Sequence, residues 1–111
     1  MAPSTKAAAK KTTAKKTGPI VLSEYFEGGI KSLKNERHGR AFSVGIINPG
    51  QYHLGTAKAE KMYVTCGELE VKLDGTKDFV TYPAGTCFEV AANSGFTAKA
   101  THPTGYHCEY L

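Results

Sequence analysis

From Ile20 onward apolar and polar residues alternate in short runs separated by turn residues. Phe42, Val44 and Ile46 alternate with Ser43 and Gly45, the period-two pattern of a half-buried strand. Asn48-Pro49-Gly50 ends that run with turn chemistry, and Gln51 to Gly55 supplies a second strand. Met62, Val64 and Cys66 alternate with Lys61, Tyr63 and Thr65 on a third. After Cys66-Gly67-Glu68, Leu69, Val71 and Leu73 alternate with Glu68, Glu70 and Lys72, so this pair with Gly67 at its corner predicts a hairpin.

Asp74-Gly75 marks another turn, Phe79 to Tyr82 a short strand, and Pro83-Ala84-Gly85 its end. Phe88 and Val90 flank Glu89, and Asn93-Ser94-Gly95 leads into Phe96, Ala98 and Ala100. Tyr106, Cys108 and Tyr110 alternate with His107 and Glu109; periodicity alone leaves open which set faces inward. After residue 34 no segment keeps apolar residues at helical spacing for three turns; the stretch Ser23 to Lys34 is expected to be helical or irregular. Short strands with turns every 8–12 residues predict an all-β sandwich or barrel. A domain of roughly ninety residues removes only about 60–65% of its extended-chain surface from water. Pairing edge strands across a homodimer would cover exposed edges, so a homodimer is expected.

Composition divides the chain of 111 residues in two. Residues 1–18 hold Lys6, Lys10, Lys11, Lys15 and Lys16, with no acid and no aromatic. That tail carries all the excess charge: removing its five lysines from the net +4 leaves residues 19–111 at about −1. So little apolar surface cannot offset ordering entropy, which predicts a disordered basic tail before a single β-domain. The tail is expected to be a solvated extension, with a weak, salt-sensitive nucleic-acid contact as the alternative. No secretory or membrane-length apolar run occurs, so the expectation is a cytoplasmic protein without membrane association. Cys66, Cys87 and Cys108 are odd in number and lack a Cys-x-x-Cys pair, which predicts buried free thiols rather than disulfides or structural zinc.

Two patterns within the strands are more specific. Glu60 stands six residues before Gly67, and Pro83-x-Gly85 precedes the strand carrying Phe88. This resembles the cupin barrel, whose first motif has two histidines one residue apart, then Glu, six residues and Gly. Its second motif is Pro-x-Gly followed by His. In that resemblance the histidine positions fall on His53, Gly55 and Phe88, and the Glu on Glu60. Two of four ligands remain, whereas tight sites for transition metals need three or four converging donors, so no bound metal is expected. His102 and His107 do not occupy the empty positions.

The resemblance sharpens through Glu24-Tyr25-Phe26, Ser43-Val44-Gly45, Pro49-Gly50-Gln51-Tyr52, Glu60-x-Met62, Gly67-Glu68-Leu69-x-Val71, Ala84-Gly85-Thr86-x-Phe88-x-Val90 and Tyr106-x-Cys108-x-Tyr110. In this order they are similar to the pyrimidine/purine nucleoside phosphorylase family of small single-domain cupins, over about residues 24–111. The resemblance implies phosphorolysis: inorganic phosphate attacks C1′ of a purine or pyrimidine nucleoside and releases free base and ribose 1-phosphate. Nucleoside and phosphate would be the partners, with phosphate as co-substrate and no cofactor.

Such chemistry needs donors for phosphate, acceptors for ribose hydroxyls and a proton or hydrogen bond for the departing base. Arg40 is the first candidate for phosphate and Arg37 the second, because a guanidinium fork matches that anion. Glu60 shares parity with Met62 and Val64, which aims it inward, toward ribose hydroxyls or Arg40. His53 could donate to the leaving base or serve as a hydrogen-bonded histidine lining the barrel. Tyr52, Phe88 and Tyr106 could form an aromatic wall against the base or simply be core. The competing class is a non-catalytic cupin that binds a sugar or nucleoside-like ligand.

Overall fold

The computed structural model describes residues 19–111, so the expectations for the tail lie outside the described residues. The described chain contains ten strands: β1 Val21–Tyr25, β2 Ile30–Arg37, β3 Arg40–Ile47, β4 Gly50–Gly55, β5 Glu60–Cys66, β6 Glu68–Leu73, β7 Val80–Pro83, β8 Cys87–Val90, β9 Gly95–Ala100 and β10 Thr104–Tyr110. They form two antiparallel sheets, ordered β1-β2-β3-β10-β5-β8 and β4-β9-β6-β7. Among the described residues no helix is long and apolar enough to cross a membrane.

The entry segment departs from its expectation. Ser23 to Lys34 is neither helical nor irregular throughout but contributes the last three residues of β1 and most of β2, which pair from Val21↔Lys34 to Tyr25↔Ile30. The reversal between them takes Phe26, Glu27 and Gly28 through positive φ. Beyond it only Ile30 and Ser32 are buried on β2, so the inner face is too short and too polar to give an apolar period. A tighter two-residue turn at His38 and Gly39, both at positive φ, joins β2 to β3 and sets Arg37 opposite Arg40.

Gly67 also works differently from the expected hairpin. β5 pairs with β10 and β8, whereas β6 pairs with β7 and β9, so the chain changes sheet at this residue. Gly67 has φ +77, and a Cβ there would stand 2.9 Å from Thr104 Oγ1 and 3.0 Å from Pro103 O. Glycine is required because the corner passes directly against the start of β10.

The inner faces meet in a core whose largest fully buried members are Phe96, Ile30, Ile47, Leu69 and Val71. Strand β3 contributes to it with the unexpected parity. Ser43 and Ile47 are buried on the inside, while Val44 and Ile46 are exposed on the outside. On β10 it is Tyr106, Cys108 and Tyr110 that face inward. Cys108 is a buried thiol, but Cys66 and Cys87 are exposed, against the expectation of burial for all three: Cys66 lies beyond a register shift that breaks the alternation after Val64, and Cys87 opens β8 on the face opposite Phe88.

Thr56 locks the passage from β4 to β5. Its hydroxyl donates to Ala91 O at 2.7 Å and accepts from Ser94 N at 3.0 Å, while its own amide donates to Ser94 O at 2.9 Å. These bonds fix the loop that delivers Glu60 to the first position of β5.

Candidate functional site

Between the two sheets lies a cavity of about 120 Å³. One part of its wall is apolar, from Ile30, Ile47, Leu54, Met62 and Phe96; the rest is Tyr25, Ser32, Ser43, Glu60, Tyr106, Cys108 and Tyr110, with Gly55 at the edge. The polar part is a consequence of register. Cys108 stands opposite Ser43 on one side and Met62 on the other, and Tyr110 stands opposite Glu60. Three neighbouring strands therefore bring their inward polar side chains to one end of the sandwich.

Within this group the Ser43 and Tyr110 hydroxyls share a hydrogen bond of 3.2 Å, and the Cys108 thiol donates to Glu60 Oε1 at 3.6 Å. Burial raises the Glu60 carboxyl above its ordinary value, and the Cys108 thiol only partly counteracts it. Burial pushes Tyr106 up to about 12, with the Ser32 hydroxyl opposing. Cys108 is driven upward by burial and then by the Glu60 charge, and Tyr110 is raised by burial. At neutral pH the cavity thus presents neutral hydroxyls and a thiol around one half-buried carboxyl. At the rim, Lys34 Nζ lies 5.1 Å from the centroid of the Tyr110 ring.

The residues singled out by sequence are distributed over different places. Glu60 and Tyr106 line the cavity. Phe88 packs in the core between Tyr82 and Phe96, at centroid distances of 4.8 and 5.6 Å, without lining it. Tyr52 packs against Phe26 at 5.0 Å and donates its hydroxyl to Asn48 O and Pro49 O at 2.9 and 3.2 Å, closing the turn before β4. His53 points to the outer surface, where Nε2 lies 3.0 Å from both carboxylate oxygens of Asp74. The inward pair on β4 is Tyr52 and Leu54, one step from the His53 and Gly55 positions that the cupin resemblance suggested. A shift of one residue on a strand moves every side chain to the opposite face.

Arg40 and Arg37 line a separate basin on the outer face of the six-stranded sheet, so the structure does not bring Arg40 to Glu60. His107 lies on that outer face, between Phe42 and Tyr63, and the His102 ring nitrogen Nδ1 is 3.2 Å from the Thr101 hydroxyl. No group of three or more His, Cys, Asp or Glu side chains converges as metal ligands among the described residues.

Sequence reasoning missed Tyr25, Ser32, Ser43, Cys108 and Tyr110. The alternation Tyr106-x-Cys108-x-Tyr110 was visible but its face was not. Ser43 was concealed by the more hydrophobic residues on either side of it, which face solvent.

Comparison with known proteins places this chain within a family. The family model described as "Ppnp: Pyrimidine/purine nucleoside phosphorylase" matches residues 21–110, the whole strand-forming region. A protein from Sorangium cellulosum named pyrimidine/purine nucleoside phosphorylase is 48% identical over 89 residues, covering 80% of this chain and 96% of its own. One of the same name from Vibrio parahaemolyticus is 45% identical over 92 residues, covering 83% and 98%. Among solved structures, a Vibrio parahaemolyticus protein titled as of unknown function superposes with TM-score 0.82 at 44% identity, over 85% of this chain and all of that one. An RmlC-like cupin from Shewanella frigidimarina, 20% identical over 82% of each chain, shares the fold at TM-score 0.65. The two sheets are thus a cupin fold, and the chain belongs to the pyrimidine/purine nucleoside phosphorylase family.

Proposed function

We propose that this protein catalyses phosphorolysis of purine and pyrimidine nucleosides to free base and ribose 1-phosphate, in the cavity that contains Glu60. The observation that carries the reading is the inward carboxyl, thiol and hydroxyl cluster of Glu60, Cys108, Ser43, Tyr110 and Tyr106 in a family named for that reaction. At about 120 Å³ the cavity is smaller than the roughly 300–1,000 Å³ of typical ligand pockets. It suits one half of a nucleoside, the ribose, with the base and phosphate toward the mouth.

Ribose hydroxyls would donate to Glu60 and exchange hydrogen bonds with Ser43 and Tyr110. As the glycosidic bond lengthens, positive charge grows on the sugar and the ionised Glu60 carboxylate stabilises it. Phosphate would take hydrogen bonds from the tyrosine hydroxyls and the charge of Lys34, because the cavity wall itself has no lysine, arginine or histidine among the described residues. No cofactor enters this reading; phosphate is the co-substrate. The test is to incubate the purified full chain with inosine or uridine, with and without phosphate, and to chromatograph for free base. Absence of phosphate-dependent base release across several nucleosides would refute the proposal.

The same lack of a cation in the wall favours a second reading, a cupin that binds a sugar or nucleoside without turning it over. Saturable nucleoside binding with no phosphate-dependent release would select it.

A further inference from the structure

The outer face of the six-stranded sheet carries a second concave site, independent of the Glu60 cavity. Its volume is about 470 Å³, and its wall includes Arg37, His38, Arg40, Phe42, His107 and Glu109. The β2–β3 turn sets Arg37 directly opposite Arg40, so two guanidinium groups stand at one end. Neither forms a salt bridge among the described residues, whose ion pairs are Lys31–Glu24 and His53–Asp74. Two adjacent, exposed guanidiniums without a carboxylate partner repel each other and present forked donors suited to a phosphate.

Beyond them the basin is lined by the rings of Phe42 and His107 together with Ala41 and Val44. The Phe42 and His107 rings meet edge to face at 5.8 Å, and His107 is braced on its other side by Tyr63, stacked at 5.5 Å with 21° between planes. Bracing holds the imidazole in place where it lines the basin, so that binding orders it at little further entropy cost. Glu109 adds a carboxylate that accepts from hydroxyl or amino groups. A cationic end, a ring-lined floor and one acceptor match a phosphate monoester attached through a sugar to a flat heterocycle. Volume agrees with that class, lying within the range of small-molecule sites.

We propose that this basin is a second ligand site for nucleoside monophosphates, the phosphate held by Arg37 and Arg40 and the base against Phe42 and His107. His107 and Glu109 alternate on β10 with Tyr106, Cys108 and Tyr110, so the two sites occupy opposite faces of one strand.

The test is calorimetric titration of the full chain at low salt with adenosine monophosphate, adenosine, ribose 5-phosphate and inorganic phosphate. Adenosine monophosphate is expected to bind more tightly than the other three. The exposed double variant Arg37→Gln/Arg40→Gln, verified as folded by thermal melting, should weaken it about tenfold or more, the loss of at least one charge-assisted hydrogen bond. Phe42→Ala should reduce it to the level of ribose 5-phosphate, while Glu60→Gln in the inner cavity should leave it unchanged. The lysine tail is intact in every variant, so binding through the tail would survive the double substitution and overturn the proposal. Inorganic phosphate binding as tightly as the nucleotide would overturn its aromatic half. A face covered by a second copy of the chain, seen as a dimer that binds no nucleotide, would overturn it entirely.

Discussion

Tyr106→Phe isolates one buried hydroxyl of the cavity and has a calculable pH signature. Tyr106 is only 8% exposed, and burial moves its phenol from 10.0 to about 12. The folded protein therefore holds this proton at pH values where the unfolded chain has released it, so stability is unaffected below pH 10 and falls as pH rises from 10 to 12. A two-unit difference corresponds to about 2.7 kcal/mol at the far end of that window and about 1.4 kcal/mol at pH 11. Against this stands the loss of the hydroxyl's own hydrogen bonding, about 1 kcal/mol at neutral pH. Urea unfolding followed by circular dichroism should show Tyr106→Phe less stable than wild type at pH 8, equal to it between pH 10 and 11, and more stable at pH 11. Tyr110 and Cys108 titrate in the same direction in both proteins, so most of their contribution cancels in the difference, leaving only their smaller coupling to the Tyr106 phenol. A stability difference that stays constant from pH 8 to 11 would show that the phenol is not desolvated as described.

Glu60→Gln should lower phosphorolysis by about a hundredfold or more, measured by initial rates, since it removes the only carboxyl in the cavity wall. Because burial raises this carboxyl, the folded state binds its proton more tightly and loses stability as pH rises above 4.5. The variant should consequently be relatively more stable at pH 7 than at pH 4, and the opposite trend in denaturation midpoints would contradict the burial argument. Gly45→Ala would place a Cβ 2.6 Å from the Tyr106 hydroxyl and closer still to Lys31 O, both on the crowded inner side of β3. It should cost about 1–3 kcal/mol in urea unfolding and reduce nucleoside turnover by displacing Tyr106; wild-type values for both would refute that packing. Thr56→Val removes an acceptor for Ser94 N and a donor to Ala91 O, and should cost about 1–3 kcal/mol by thermal or urea unfolding.

Strand periodicity recovered most of the sandwich because alternation reports a residue's exposure, and along much of β5, β6, β8 and β9 buried residues alternate with more exposed ones. It inverted β3 because that strand carries Val44 and Ile46 outward and Ser43 inward, the reverse of the assumption that the more hydrophobic face is the buried one. The Gly67 reversal was legible as a turn but not as a change of sheet, since both outcomes need the same glycine. His53 and Glu60 were both placed by motif spacing, yet spacing does not fix pleat. Glu60 shares its face with Met62, whereas His53 lies on the face opposite Tyr52 and Leu54. Arg40 follows the same logic: it shares parity with Phe42 and Val44, and those residues face outward.

These inversions point to the same physical economy. A sandwich selected for stability alone would place the apolar face of β3 inside and its serine outside, because a buried hydroxyl or carboxyl costs free energy unless fully hydrogen-bonded. Here Ser32, Ser43, Tyr106, Cys108, Tyr110 and Glu60 all turn inward around one cavity, while Leu69, Val71 and Phe88 belong to the core without lining it. That cavity also holds a carboxyl pushed above its ordinary value. Local departures from hydrophobic patterning that cluster in space, share one cavity and include a perturbed acid are what ligand chemistry demands of a scaffold. The cluster is therefore the basis of the proposed site, and it is built from residues whose spacing along the chain is unremarkable.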